Sequence, residues 1–172
     1  MPTQNRKVRL ILCGIIFAVM LVCSGPIILA QKGVPRFENY PVTKIYRGKV
    51  VPLKLTKWDE AWRERFQGAI ERFEVNYAGH YILYTWPCGS ECMTGVAINA
   101  KNGRVSWLDV RLNYRIENPV DYRINSSLII LSGCRDGDLH VKTGQHYYRI
   151  RNGRFVHLRS IPSKQRIESD CS

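Results

Sequence analysis

The sequence predicts an α+β domain, an antiparallel β-meander sheet of about five to seven strands with one packed amphipathic helix. Three observations carry this. Short runs rich in β-branched and aromatic residues, separated by turn dipeptides, recur between Tyr81 and Leu158. Only the stretch from Thr56 to Phe73 shows a helical spacing of large apolar residues. Beyond the N-terminal segment the cysteines are even in number, as a disulfide-braced sheet requires: Cys88, Cys92, Cys134 and Cys171.

The chain opens with Arg6, Lys7 and Arg9, then an apolar run from Leu10 to Val22, then the breakers Ser24, Gly25 and Pro26. This is the layout of a secretory signal peptide, with Val22 and Ser24 suited to a cut before Gly25 and Ala30 offering a second. The competing reading is an N-terminal anchor, because Leu10 to Ala30 is uncharged and near the length of a membrane span. Cys23 does not read as a lipid attachment site, since no small residue stands immediately before it. We therefore divide the chain into residues 1–30, a signal peptide or anchor, and residues 31–172, a single disulfide-stabilised domain. The expected location is the periplasm or the extracellular space, with membrane association through residues 10–30 if that segment is retained.

Loss of the leader lowers the formal charge from +12 to +9. A basic balance of that size points to an anionic partner, here an envelope component or an acidic protein. Export removes the usual encounter with nucleic acid. The sequence implies no cofactor. One Cys-x-x-x-Cys without a paired partner motif predicts disulfides rather than a zinc site. The adjacent Cys88 and Cys92 suit a local bridge, which leaves Cys134 to Cys171 as the expected second one.

Gln31 to Val51 reads as extended and irregular. In the helix that follows, Thr56 is the expected N-cap and Asp59 its return partner, while Trp58, Trp62, Phe66, Ile70 and Phe73 share one face. Strands are expected over Tyr81–Trp86, Thr94–Ala100 and Arg104–Val110, the last two joined by a turn at Ala100–Gly103. Alternation sets His80, Ile82, Tyr84 and Trp86 on one face of the first strand and Tyr81, Leu83 and Thr85 on the other. Asn113–Arg123 is expected as a loop, Ser127–Ser132 as a buried strand, and Gln145–Arg151 with Arg154–Leu158 as a hairpin about Asn152-Gly153.

Tyr77-Ala78-Gly79-His80-Tyr81, then Trp86, then Cys88-Gly89-x-x-Cys92 and an Ala-Lys-Asn-Gly turn resemble a pattern in a group of small exported bacterial proteins. Here Tyr77 replaces a phenylalanine, Pro87 a glycine and Asn99 an aspartate. The likeness runs from Trp62 to Gly103 and more loosely through Ser127–Ser132 and Tyr147–Phe155. It implies export and a shared fold, and no activity.

Two functional readings follow. In the first, the protein is a non-catalytic binding or envelope-associated protein. Its basic aromatic surface draws on His80, Tyr84, Trp86, Tyr147, Arg149, Arg151 and Arg154. Seven basic residues and no acid lie between Leu139 and Ile167, and Tyr147, Arg149 and Arg151 share a strand face. In the second, Cys134 or Cys88 works with a histidine as a thiol nucleophile in an envelope enzyme. Ser132-Gly133-Cys134-Arg135 is similar to the nucleophile motif of L,D-transpeptidases. It lacks that motif's branched residue after the cysteine and its neighbouring histidine-glycine pair.

Overall fold

Residues 33–89, 92–113, 116–135 and 143–163 are described by the computed structural model. The expected leader and Cys171 lie outside them. One antiparallel sheet contains β1 (Tyr81–Gly89), β2 (Cys92–Asn99), β3 (Val105–Trp107), β4 (Arg111–Asn113), β5 (Val120–Tyr122), β6 (Leu128–Cys134), β7 (Thr143–Arg151) and β8 (Arg154–Pro162). Their order is β1-β2-β4-β6-β7-β8, with β3 also on β2 and β5 also on β6. The α+β class stands, but eight strands exceed the expected five to seven.

Two local events account for the difference. The strand expected over Arg104–Val110 is interrupted. Val96 faces Trp107 while Met93 faces Leu112, so β2 advances three residues where its partner advances five. Leu108 N–H still donates to the Gly95 carbonyl at 2.9 Å, and both Leu108 and Val110 reach the core. The second event lies in the expected loop. Val120 and Tyr122 pack inward with Asp121 exposed between them, and the segment pairs with Ile129–Leu131 as β5.

The helix begins with a 3₁₀ turn, Asp59–Trp62, and continues as α1, Arg63–Arg72. Asp59 N–H donates to Thr56 Oγ1 at 3.2 Å, and Thr56 N–H returns a bond to Asp59 Oδ2 at 3.1 Å. That reciprocal box satisfies N-terminal amides that the helix itself leaves open. In the apolar stripe Phe66 is buried, beside Ala69, and Trp62 and Ile70 are partly so, whereas its two ends, Trp58 and Phe73, are exposed. No helix among the described residues is long and apolar enough to cross a membrane.

The sheet has a core on each face, as the alternation along β1 requires. Ile82 and Trp86 join Val96, Ile98 and Phe66 in a cluster beneath α1. Tyr81 and Leu83 point the other way, into a cluster with Leu112, Ile129, Leu131, Tyr148 and Ile150. Full burial of each such side chain stabilises by about 1.5–3 kcal/mol. The sheet curls around this second cluster, bringing the β7–β8 turn to β3, where Ser106 Oγ donates to the Gly153 carbonyl at 2.7 Å.

The Ala78-Gly79 pair has a structural role. Both residues have positive φ, and Tyr77 and Tyr81 bridge across them. Gly79 N–H donates to the Ile124 carbonyl at 2.7 Å and its own carbonyl accepts from Tyr46 N–H at 2.7 Å. A Cβ there would collide with Val42 and the Lys44 carbonyl. This turn ties the extended N-terminal segment to the chain entering β6.

Candidate anion-binding surface

The β7–β8 hairpin closes through Asn152 and Gly153, both at positive φ, with Arg151 opposite Arg154. This is the two-residue turn that Asn-Gly favours. The register places Arg149 opposite Val156 and Tyr147 opposite Arg159. Tyr147, Arg149, Arg151, Arg154, Val156 and Arg159 thus share the outer face of the hairpin. Arg151, Arg154, Val156 and Arg159 are exposed, while Tyr147 is buried with Phe37 and Leu128 below them. Arg149 Nε is buried without a hydrogen-bond partner among the described residues. Asp121 on β5 stands on the same face, opposite Ile130, which in turn faces Tyr147. Like charges opposite one another destabilise a strand pair, so the Arg151–Arg154 pair has no rationale in sheet stability. Burial raises the Tyr147 hydroxyl pKa, with Arg159 working against the rise, so the ring is neutral at ordinary pH.

The other expected contact residues lie elsewhere. Tyr84 and Trp86 stack at 5.4 Å on the α1 side of β1. Trp86 is 3% exposed, so it supports a surface rather than forming one. Trp62, Trp86 and Trp107 meet at 5.5–5.6 Å, and exposed Trp58 lies edge-on to Trp107 at 4.8 Å. Trp107 Nε1–H donates to Asp59 Oδ1 at 2.9 Å. Burial alone would push the Asp59 carboxyl up, but hydrogen bonds from Trp107 and Thr56 outweigh it and hold the group below the usual range. His80 sits at the opposite end of β1, half-buried, its ring 4.4 Å from that of Tyr81. Desolvation and then the Lys101 charge lower its pKa and favour the neutral imidazole. The structure therefore joins Tyr147, Arg149, Arg151 and Arg154 in one face, and sets Tyr84 with Trp86 in a second and His80 in a third.

Cys88 and Cys92 are bonded to each other, with Cα atoms 5.1 Å apart, in the connection from β1 to β2. Cys134 is also disulfide-bonded, to a partner outside the described residues. Among the described residues no group of His, Cys, Asp and Glu is placed to hold a metal ion.

The sequence reading missed a polar cluster at the end of β7 and β8. His146 is fully buried, with Nδ1 2.8 Å from Ser160 Oγ and Nε2 3.2 Å from the Gly133 carbonyl. His157 Nε2 lies 2.9 Å from the same serine oxygen. A carbonyl only accepts, so in the neutral ring Nε2–H of His146 donates to Gly133 and Nδ1 accepts from Ser160. A bulge makes the grouping possible: Tyr147 faces Arg159 but Tyr148 faces His157, so Leu158 is the extra residue. Nearby, Arg135 Nε–H donates to Tyr148 Oη at 2.9 Å, and the tyrosine donates to Asp109 Oδ2 at 3.3 Å. Burial, then the Asp109 charge, push the Tyr148 pKa up to about 12. The spacing of His146, His157 and Ser160 carries no motif, so only the bulged register reveals them.

Fold and surface together define a small α+β protein with a locally disulfide-bonded β-connection and an arginine-faced hairpin. No protein-family model, curated protein or solved structure matches the chain.

Proposed function

We propose that this is an exported, non-catalytic binding protein of the cell envelope, whose basic hairpin face meets an anionic partner, an envelope component or an acidic protein. The observation that carries the reading is Arg149. Its Nε is desolvated and unsatisfied, on a face shared with Arg151, Arg154 and Arg159. Partial burial weakens the solvation and the screening of that guanidinium, so an anion reaching its exposed part is held more strongly than by a fully exposed arginine. The leader-like N-terminus and the bonded Cys88–Cys92 pair support an oxidising, exported setting. The resemblance to small exported bacterial proteins points the same way. The thiol-enzyme alternative needs a free thiolate, and Cys88, Cys92 and Cys134 are all bonded.

The test is binding to vesicles of anionic phospholipid against zwitterionic ones. Each arginine near such a surface contributes about 1 kcal/mol, so Arg149→Ala with Arg151→Ala should weaken binding by roughly thirtyfold. Binding of the unaltered protein should also fall as salt screens the surface. Unchanged affinity and salt dependence in the double variant would remove the hairpin from the reading. Intact mass after export by the chain's own leader, with thiols alkylated before and after reduction, tests cleavage and bridging directly.

A further inference from the structure

A groove of about 480 Å³ runs between α1 and β1, and its lining includes Trp62, Glu64, Arg65, Gly68, Arg72, Phe73 and Tyr84. We infer that this groove binds an acidic pyranose, a sugar unit carrying a carboxylate or phosphate group. The inference rests on the binding-protein reading above but on different residues.

Charge is the first argument. The Arg65 guanidinium lies 5.7 Å from the centre of the Trp62 ring and 5.3 Å from that of Trp86. Cation–π attraction holds the guanidinium beside the two indoles, and its N–H groups can still serve a bidentate acceptor. Neither Arg65 nor Arg72 is in an ion pair among the described residues, whereas Arg63 and Arg123 are. An oxyanion between Arg65 and Arg72 meets two cations that the fold itself does not neutralise.

The second argument is the aromatic wall. Phe73 is 44% exposed and packs on Tyr84 at 5.7 Å, and Tyr84 stacks on Trp86. The C–H face of a pyranose carries slight positive charge and suits the negative face of an aromatic ring. Glu64 adds what a bare polyanion could not use, a carboxylate that accepts from sugar hydroxyls. The groove volume falls in the range of small-molecule sites.

Gly68 is the third argument. It lies inside α1, where glycine is among the poorest helix formers. A Cβ added there would meet nothing within 4 Å, so packing does not demand a glycine. Its lack of a side chain keeps the groove open.

The test follows the indole N–H signals of Trp62 and Trp86 by NMR in the disulfide-intact protein, with glucuronate, glucose 6-phosphate and glucose as probes. At least one acidic sugar should shift both signals saturably below about 10 mM, a range suited to a single sugar unit. Glucose should bind at least about tenfold more weakly, the loss of a charge-assisted bond. A response to glucuronate alone supports the site and points to a uronate glycan. A response to glucose 6-phosphate alone supports it and points to a phosphorylated one. Gly68→Leu should raise the Tm and abolish the shifts, and Arg65→Ala should weaken the acidic sugars about tenfold without changing glucose. Arg151→Ala with Arg154→Ala should leave sugar binding intact while vesicle binding falls, so the groove and the hairpin fail separately. Equal binding of glucose, retained affinity in Gly68→Leu, or no shift with any probe would overturn the inference.

Discussion

Asp59 shows how one side chain serves two elements. Its carboxylate closes the N-terminal box of the helix and accepts from the indole of Trp107 on β3. Asp59→Ala removes the cap, worth about 1 kcal/mol, and leaves a part-buried indole donor without its acceptor at about 1–3 kcal/mol. The expected destabilisation is about 2–4 kcal/mol by urea unfolding. The pH dependence follows from the depressed pKa. The contribution is complete above the unfolded aspartate value, near 3.9, and is lost as pH falls through the lower folded value. Asp59→Asn should therefore flatten the acid limb of a stability–pH profile. An unchanged limb would show that the carboxylate is not ionised in this network. The Thr56–Asp59 spacing made the cap legible in sequence, but the bond to Trp107 joins residues 48 apart in the chain, and no local pattern announces it.

At the scale of elements, the turns were the most legible features because their chemistry is local. Asn152-Gly153 forms the tight turn expected of it. The Ala100–Gly103 connection places Gly103 at φ 70°, where a Cβ would run into the Pro52 carbonyl. Gly103→Ala should cost about 2–4 kcal/mol, combining left-handed backbone strain with overpacking. A loss below 1 kcal/mol in thermal or urea unfolding would mean that the Pro52–Lys54 segment yields instead. The β3–β4 interruption and β5 were not legible. A run of apolar residues reads as one strand whether or not its partner keeps pace, and Asn118-Pro119 masked the short Val-Asp-Tyr alternation after it. The Leu158 bulge was hidden for the same reason, since register belongs to the pair of strands.

For the molecule as a whole, curvature matters most. The Ser106–Gly153 hydrogen bond ties the arginine hairpin to β3, across the second core. Ser106→Ala should cost about 1 kcal/mol and raise hydrogen-exchange rates at the start of β8 about fivefold, with little change in β2. An equal rise in both strands would make the bond a global brace rather than a local tie. The curl also separates the expected aromatic and basic residues. Tyr84 and Trp86 belong to the cluster under α1, while Tyr147 packs with Phe37 and Leu128 under the arginines. The single basic aromatic surface expected thus divides into an electrostatic face on the hairpin and an aromatic groove beside the helix, with His80 apart from both.

By itself the sequence determined the α+β class, the helix and its cap, the local Cys88–Cys92 bridge and the arginine face of the hairpin. Each depends on residues close together in the chain or on a period of two along one strand. Tertiary structure alone decided the eight-strand pairing, the His146–Ser160–His157 cluster and the company kept by Arg65, Gly68 and Tyr84. Those features arise where segments far apart in the chain meet, and which segments meet is set by the joint burial of both sheet faces.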